Sequence, residues 1–156
     1  MRLLDAILRR PARVPRLVHV YASSDDTIVA AMHRNFAGIY YEQADPIVLA
    51  GPADAEALGS AFKRAFDRFR VKDVNLREHK RSDWPAYRAS GLRTIKEFES
   101  RYRFVSCSSA DATNRLVHAS FEPTGAAGHM IEFAADAPAT VIGERIAHLL
   151  ERACTA

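Results

Sequence analysis

The chain has 156 residues, 48% of them apolar and 26% charged, with a net charge of +3. That length predicts one domain over 1–156, and the composition excludes a wholly disordered or collagen-like chain. Two cysteines, Cys107 and Cys154, are too few for a disulfide scaffold or a cysteine-rich zinc site, and no apolar run approaches the roughly 20 residues that span a bilayer.

Residues 1–16 (MRLLDAILRRPARVPR) form a basic extension whose Leu3, Leu4, Ile7 and Leu8 share one helical face. Asp5, Arg9 and Arg10 interrupt what would be the apolar core of a signal peptide, so a cytoplasmic location and no membrane partner are expected. A first βββα half, 17–69, follows. Residues 18–24 (VHVYASS), 28–33 (IVAAMH), 39–42 (IYYE) and 47–50 (IVLA) read as strands, separated by Asp25–Asp26, a turn over 35–38, and Pro46. In 54–69, Leu58, Phe62, Ala65, Phe66 and Phe69 recur at helical spacing, with Asp54 as N-cap.

Residues 70–101 form a basic connector. Trp84–Pro85 and Gly91 bracket a single helical turn, and Thr94-Ile-Lys-Glu97 is a capping box opening a short helix. The second half, 102–156, repeats the pattern, with strands over 102–108, 115–121 and 129–133 and a closing helix over 140–153. Sliding the chain by 84 residues lays 47–69 on 131–153 without a gap: Ile47 falls on Ile131, Gly59 on Gly143, Phe62 on Ile146 and Phe66 on Leu150. At the same displacement Val20 falls on Phe104. Glycine inside a helix costs about 1 kcal/mol against alanine, so two glycines at matching positions point to close helix–helix or helix–sheet approach. The expected architecture is α+β: a mostly antiparallel sheet of about six strands, helices on one face, and two pseudo-repeated βββα halves.

Charge is segregated. Residues 1–16 carry +4, 63–103 carry +7, and the remainder carries −8. Asp25, Asp26, Glu42, Asp45, Asp111 and Glu122 fall at or near strand ends and turns, so clustering on one edge would give an acidic rim for a basic partner. The connector supports an alternative, a nucleic-acid-binding module in which Arg68, Arg70, Lys72, Arg77, Lys80, Arg81 and Arg88 meet phosphates and Trp84 and Tyr87 stack on bases. No phosphate-binding glycine loop or nucleophile elbow occurs. The six histidines are scattered, although His19, His118 and His129 fall on neighbouring strands, and Cys107 sits in a strand as a small hydrophobe. No enzyme, metal or cofactor is expected.

Residues 80–91 read K-R-S-D-W-P-A-Y-R-A-S-G, followed by the capped helix with Phe98 and preceded by an IVL…LG…F element around Leu58 and Gly59. Across residues 18–152 the chain resembles immunity proteins of bacterial contact-dependent growth inhibition systems. The resemblance implies a small cytoplasmic protein without catalysis that binds and blocks the C-terminal toxic domain of a large exported protein, commonly a nuclease. Residues 1–16 are no part of that pattern. Trp84 and Tyr87 join the six carboxylates as toxin-contact candidates, although their first role is to anchor the connector, with Ser82 or Asp83 satisfying donors at the short helix start.

Overall fold

Alternation along the first strand decides the layering. Val18, Val20 and Ala22 point into one hydrophobic core and Tyr21 into another, so this strand is covered on both faces. The computed structural model describes residues 14–73, 84–121 and 129–152. Within these the elements run β1 Leu17–Ala22, β2 Asp26–Arg34, β3 Tyr40–Glu42, β4 Ile47–Ala50, α1 Ala55–Asp67, β5 Arg70–Val71, α2 Pro85–Ala89, α3 Ile95–Arg101, β6 Arg103–Ser109, β7 Leu116–Phe121, β8 His129–Ala134 and α4 Ala139–Arg152.

The fold is α+β, an open sheet in the order β3-β2-β1-β6-β7-β8, with β4 and β5 also paired to β2. Eight strands form rather than about six. The long β2 holds β4 against Asp26–Val29 and β3 against Met32–Arg34, and β5 adds the single parallel pair at His33 and Arg34. At the centre β1 and β6 run antiparallel, with Val20 opposite Val105. Outward from them, β2 and β4 on one side mirror β7 and β8 on the other.

α1 and α4 lie together on one face, where Leu58, Phe62, Phe66, Ile142, Ile146 and Leu149 bury against Val18, Val20, Val29, Val105 and Val117. Asp54 caps α1 by accepting a hydrogen bond from the Ala57 N–H at 2.7 Å. The opposite face of β1 and β2 presents Tyr21, Ile28 and Ala30, too apolar for water. The connector covers it with Ala86 of α2 and Phe98 of α3, Trp84, Tyr87, Leu92 and Tyr102 packing around them. Helices on one face therefore describes the two long helices, and the connector adds a second cover.

The matched glycines explain the pairing of α1 with α4. A Cβ placed on Gly59 would lie 1.7 Å from the Ala139 carbonyl oxygen, and one on Gly143 would lie 1.7 Å from that of Ala55. Ala55 and Ala139 open the two helices, so each helix seats its first residue in the gap left by the other's glycine. Displacement by 84 residues aligns both helices from their first residue. It fails for the first strands. Val18, Val20 and Ala22 correspond in burial to Val105, Cys107 and Ser109, whereas Phe104, which the even displacement puts on Val20, is 38% exposed. An even slip onto an odd true register puts side chains on the wrong face. The β6–β7 turn, 110–115, is also longer than the β1–β2 turn, 23–25.

The corrected frame brings Arg16 into the duplication. Immediately before β1, its guanidinium donates to the Phe66 carbonyl at 3.2 Å and pairs with Asp67 at 3.3 Å. Arg103, the first residue of β6, donates to the Leu150 carbonyl at 2.9 Å. Each half thus begins with an arginine that satisfies a last-turn carbonyl of its own helix, where a cation also complements the helix dipole.

Replacing Gly59 or Gly143 by alanine is expected to destabilise the protein by about 2–3 kcal/mol, despite the roughly 1 kcal/mol that alanine gains in helix propensity. Both changes push the same two helices apart, so the double variant should lose less than the sum of the singles. Urea denaturation measures all three variants; a neutral or stabilising single substitution would contradict the crossing.

Candidate functional site

The five described carboxylates of the expected rim do not lie along one edge. Asp25 and Asp26 lie at the β1–β2 turn, and Asp111 lies at the β6–β7 turn. Because β1 and β6 are antiparallel, those turns emerge at opposite ends of the sheet. Asp26 accepts hydrogen bonds from the Ser23 and Tyr102 hydroxyls, which ties α3 to the β1–β2 turn. Asp111 accepts from the Thr113 hydroxyl at 2.6 Å and its N–H at 2.8 Å, contacts that hold its carboxyl below the ordinary range. Asp45 is exposed in the β3–β4 loop, where its backbone carbonyl accepts from Arg68 at 2.8 Å. Glu122 lies outside the described residues.

Glu42 is a buried structural carboxylate rather than part of an exposed rim. It shares a sheet face with Tyr21, and only 4% of its side chain is exposed. The Tyr21 hydroxyl donates to Oε1 at 2.6 Å, His19 Nδ1 lies 3.4 Å from the same oxygen, and the Ala86 N–H donates to Oε2 at 2.9 Å. Burial alone would raise the Glu42 pKa, but hydrogen bonds from His19, Tyr21, Ala86 and Trp84 outweigh it and hold the carboxyl below its ordinary value. Burial, the adjacent charge and the bond it donates raise the Tyr21 phenol in turn. The donor at the start of α2 is therefore satisfied by a side chain 44 residues away. Trp84, the N-cap residue, makes no capping bond through its side chain, and Ser82 and Asp83 lie outside the described residues.

Trp84 and Tyr87 serve the connector's attachment. The Trp84 ring meets Phe98 at 5.0 Å and Tyr21 at 5.8 Å, and Tyr87 meets Phe98 at 5.9 Å while its hydroxyl donates to the Arg93 carbonyl. Arg77, Lys80 and Arg81 lie outside the described residues. His19 and His118 are not brought together, because β6 runs between their strands. Cys107 is fully buried, and that burial holds its thiol well above its ordinary pKa.

Among the described residues, large apolar side chains are exposed singly at Val48 and Val141 and in two groups elsewhere. Over β6, β7 and β8 the described part of the connector gives no cover, and Phe104, Leu116 and Met130 are exposed there. These alternate with Ser106, Ser108 and Ser120 and with His118, which pairs with Glu132 at 2.8 Å. That mixture is ordinary for the solvated face of an antiparallel sheet.

The β2–β3 tip is different, and composition gave no signal for it. Phe36 is 75% exposed and Ile39 49%, and Val71 of β5, opposite Arg34 on the other edge of β2 from β3, is 44% exposed. The turn is closed by the Asn35 N–H to the Ile39 carbonyl at 2.9 Å, the Gly38 N–H to the Asn35 carbonyl at 3.0 Å, and the Ile39 N–H to Asn35 Oδ1 at 2.8 Å. Gly38 has φ +88°, a conformation that favours glycine, and any side chain there would meet the Arg34 guanidinium. Arg34 in turn lies over the Tyr40 ring at 5.8 Å.

No family model matches the sequence, and no curated protein matches it. Among the solved structures that share the fold are two with the following likeness. A protein of unknown function from Neisseria meningitidis is 17% identical, with a TM-score of 0.69 over 88% of this chain and 94% of that one. A chain of the CdiA-CT/CdiI toxin and immunity complex from Yersinia pseudotuberculosis is 12% identical, with a TM-score of 0.63 over 88% of this chain and 97% of that one. At these identities the likeness shows the fold alone.

The Glu42 geometry fixes a pH dependence. Its depressed folded pKa means that the stability it contributes is complete above the ordinary carboxylate value of 4.5 and is lost as pH falls through the lower folded value. Glu42→Gln is expected to cost about 2 kcal/mol at neutral pH, since charged acceptors make the stronger hydrogen bonds. It should also flatten the acid limb of a denaturation-versus-pH profile. A variant that keeps the wild-type acid slope would show that Glu42 is not the titrating group.

Proposed function

We propose that this protein is an immunity protein that binds the cognate C-terminal toxin domain of a contact-dependent growth inhibition system and neutralises it. The observation that carries this reading is the architecture shared along nearly the whole of both chains with a member of a toxin and immunity complex. The sequence supports it separately, through the resemblance of residues 80–91 and the capped helix after them. In this reading the protein acts in the cytoplasm by stoichiometric binding without chemistry of its own, and its target is a nuclease. The buried centre fits a purely structural role, since the Glu42 oxygens are taken up by Tyr21, His19 and the Ala86 N–H, which fastens the connector to the sheet.

Cells producing the toxin domain encoded beside this gene should survive only when this protein is also produced, and a non-cognate toxin should kill regardless. Killing that proceeds unchanged in the presence of the folded protein would end the immunity reading.

A further inference from the structure

We infer that the β2–β3 tip is the anchor of the partner interface, with Phe36 entering an apolar pocket on the partner protein whose rim carries carboxylates. The inference rests on the immunity reading for the partner's identity, the toxin domain.

Turns between strands ordinarily carry polar residues that water can solvate. This one presents a phenylalanine at 75% exposure with Ile39 in the same turn, and Val71 lies opposite Arg34 on the other edge of β2. The open face over β6–β8 is the competing surface, but its apolar groups are spaced by serines and by His118 in contact with Glu132, which suffices for a solvated sheet. At the tip Phe36 is the most exposed large apolar side chain of the described residues, 75% against 58% for Met130. Its backbone is already fixed by three hydrogen bonds and a left-handed glycine, so presenting Phe36 to a pocket orders little further chain. A pre-set aromatic that fills a pocket is the usual form of an interface hot spot.

The surrounding charge defines the pocket's rim. Arg34 at the end of β2, Arg70 of β5 and Lys72 just past it stand against Asp73. A partner surface of opposite sign would be steered toward the tip. Nucleic acid would meet the same cations, but the rest of the patch disfavours it: Ile39 and Val71 offer apolar area and no ring for a base to stack on. Tyr40 is already engaged, with Arg34 over its ring, Phe69 at 6.1 Å and its hydroxyl donating to the Pro15 carbonyl.

The test is titration of the full chain against the toxin domain encoded beside its gene, comparing wild type, Phe36→Ala and Phe104→Ala. Phe36→Ala should leave the denaturation midpoint unchanged and raise Kd at least about 30-fold, the hot-spot range. Phe104→Ala should stay near wild type. Reversing Lys72 and Arg70 to glutamate should slow association, and added salt should slow the wild type similarly. Wild-type affinity in Phe36→Ala overturns the anchor while leaving immunity standing. Failure of the wild type to bind overturns immunity and the partner assigned here with it. If labelled single-stranded DNA binds the wild type and loses binding in Phe36→Ala, the tip is a nucleic-acid site and the protein pocket is wrong.

Discussion

The carbonyls of Ala55 and Ala139 occupy the space that side chains at Gly143 and Gly59 would fill, and the arrangement of both halves follows from that reciprocal seat. A helix pair at this separation can lay both apolar stripes on one sheet, Phe62 and Ile146 at equivalent places. The strands beneath must then repeat about the β1–β6 pair, as β2 and β4 do with β7 and β8. Arg16 and Arg103 complete the relation by tying the start of each half to the end of its own helix. Helix propensity is given up at two positions to gain backbone-to-backbone approach, an exchange that works only when both glycines are present.

The two halves are not equal, and the difference places the candidate surfaces. The described part of the connector packs on β1 and β2, and Tyr21 of β1 and Glu42 of β3 receive it. A buried carboxylate is costly unless its lone pairs are met, and here several donors meet them. The connector is thereby held by a charged, pH-dependent clasp as well as by the aromatic packing around Phe98. On the same side, β2 outruns β1 and collects β3 and β5 around its end. That local thickening carries the Phe36 turn beyond the sheet with cations close by.

The elements and the duplication were legible in the sequence because they rest on periodicity, caps and glycine placement. Asp54 and Thr94 cap the helices they appeared to cap, and β4 spans the residues its pattern marked. Register was not legible. Val20 and Phe104 both look like strand interior, and only burial reveals that they face opposite sides of the sheet. The acidic rim failed for a related reason: a one-dimensional series of turn carboxylates carries no information about which end of an antiparallel pair each turn leaves. Glu42 looked like an edge residue because nothing local announces donors as distant in sequence as Tyr21 and Ala86. Phe36 carries no local signal, because Asn35 and Gly38 mark the turn and nothing in the sequence tells an exposed phenylalanine from a buried one.

The glycine crossing makes the two halves one cooperative body, and native-state hydrogen exchange at single amides tests that most directly. The amides of Phe62 and Ala65 in α1 and of Ile146 and Leu149 in α4 should exchange with one common opening free energy, that of global unfolding, while α2 and α3 open at a lower one. Exchange of α4 together with β6–β8 while α1, β1 and β2 stay protected would contradict it, because the halves would then be separate units that happen to touch.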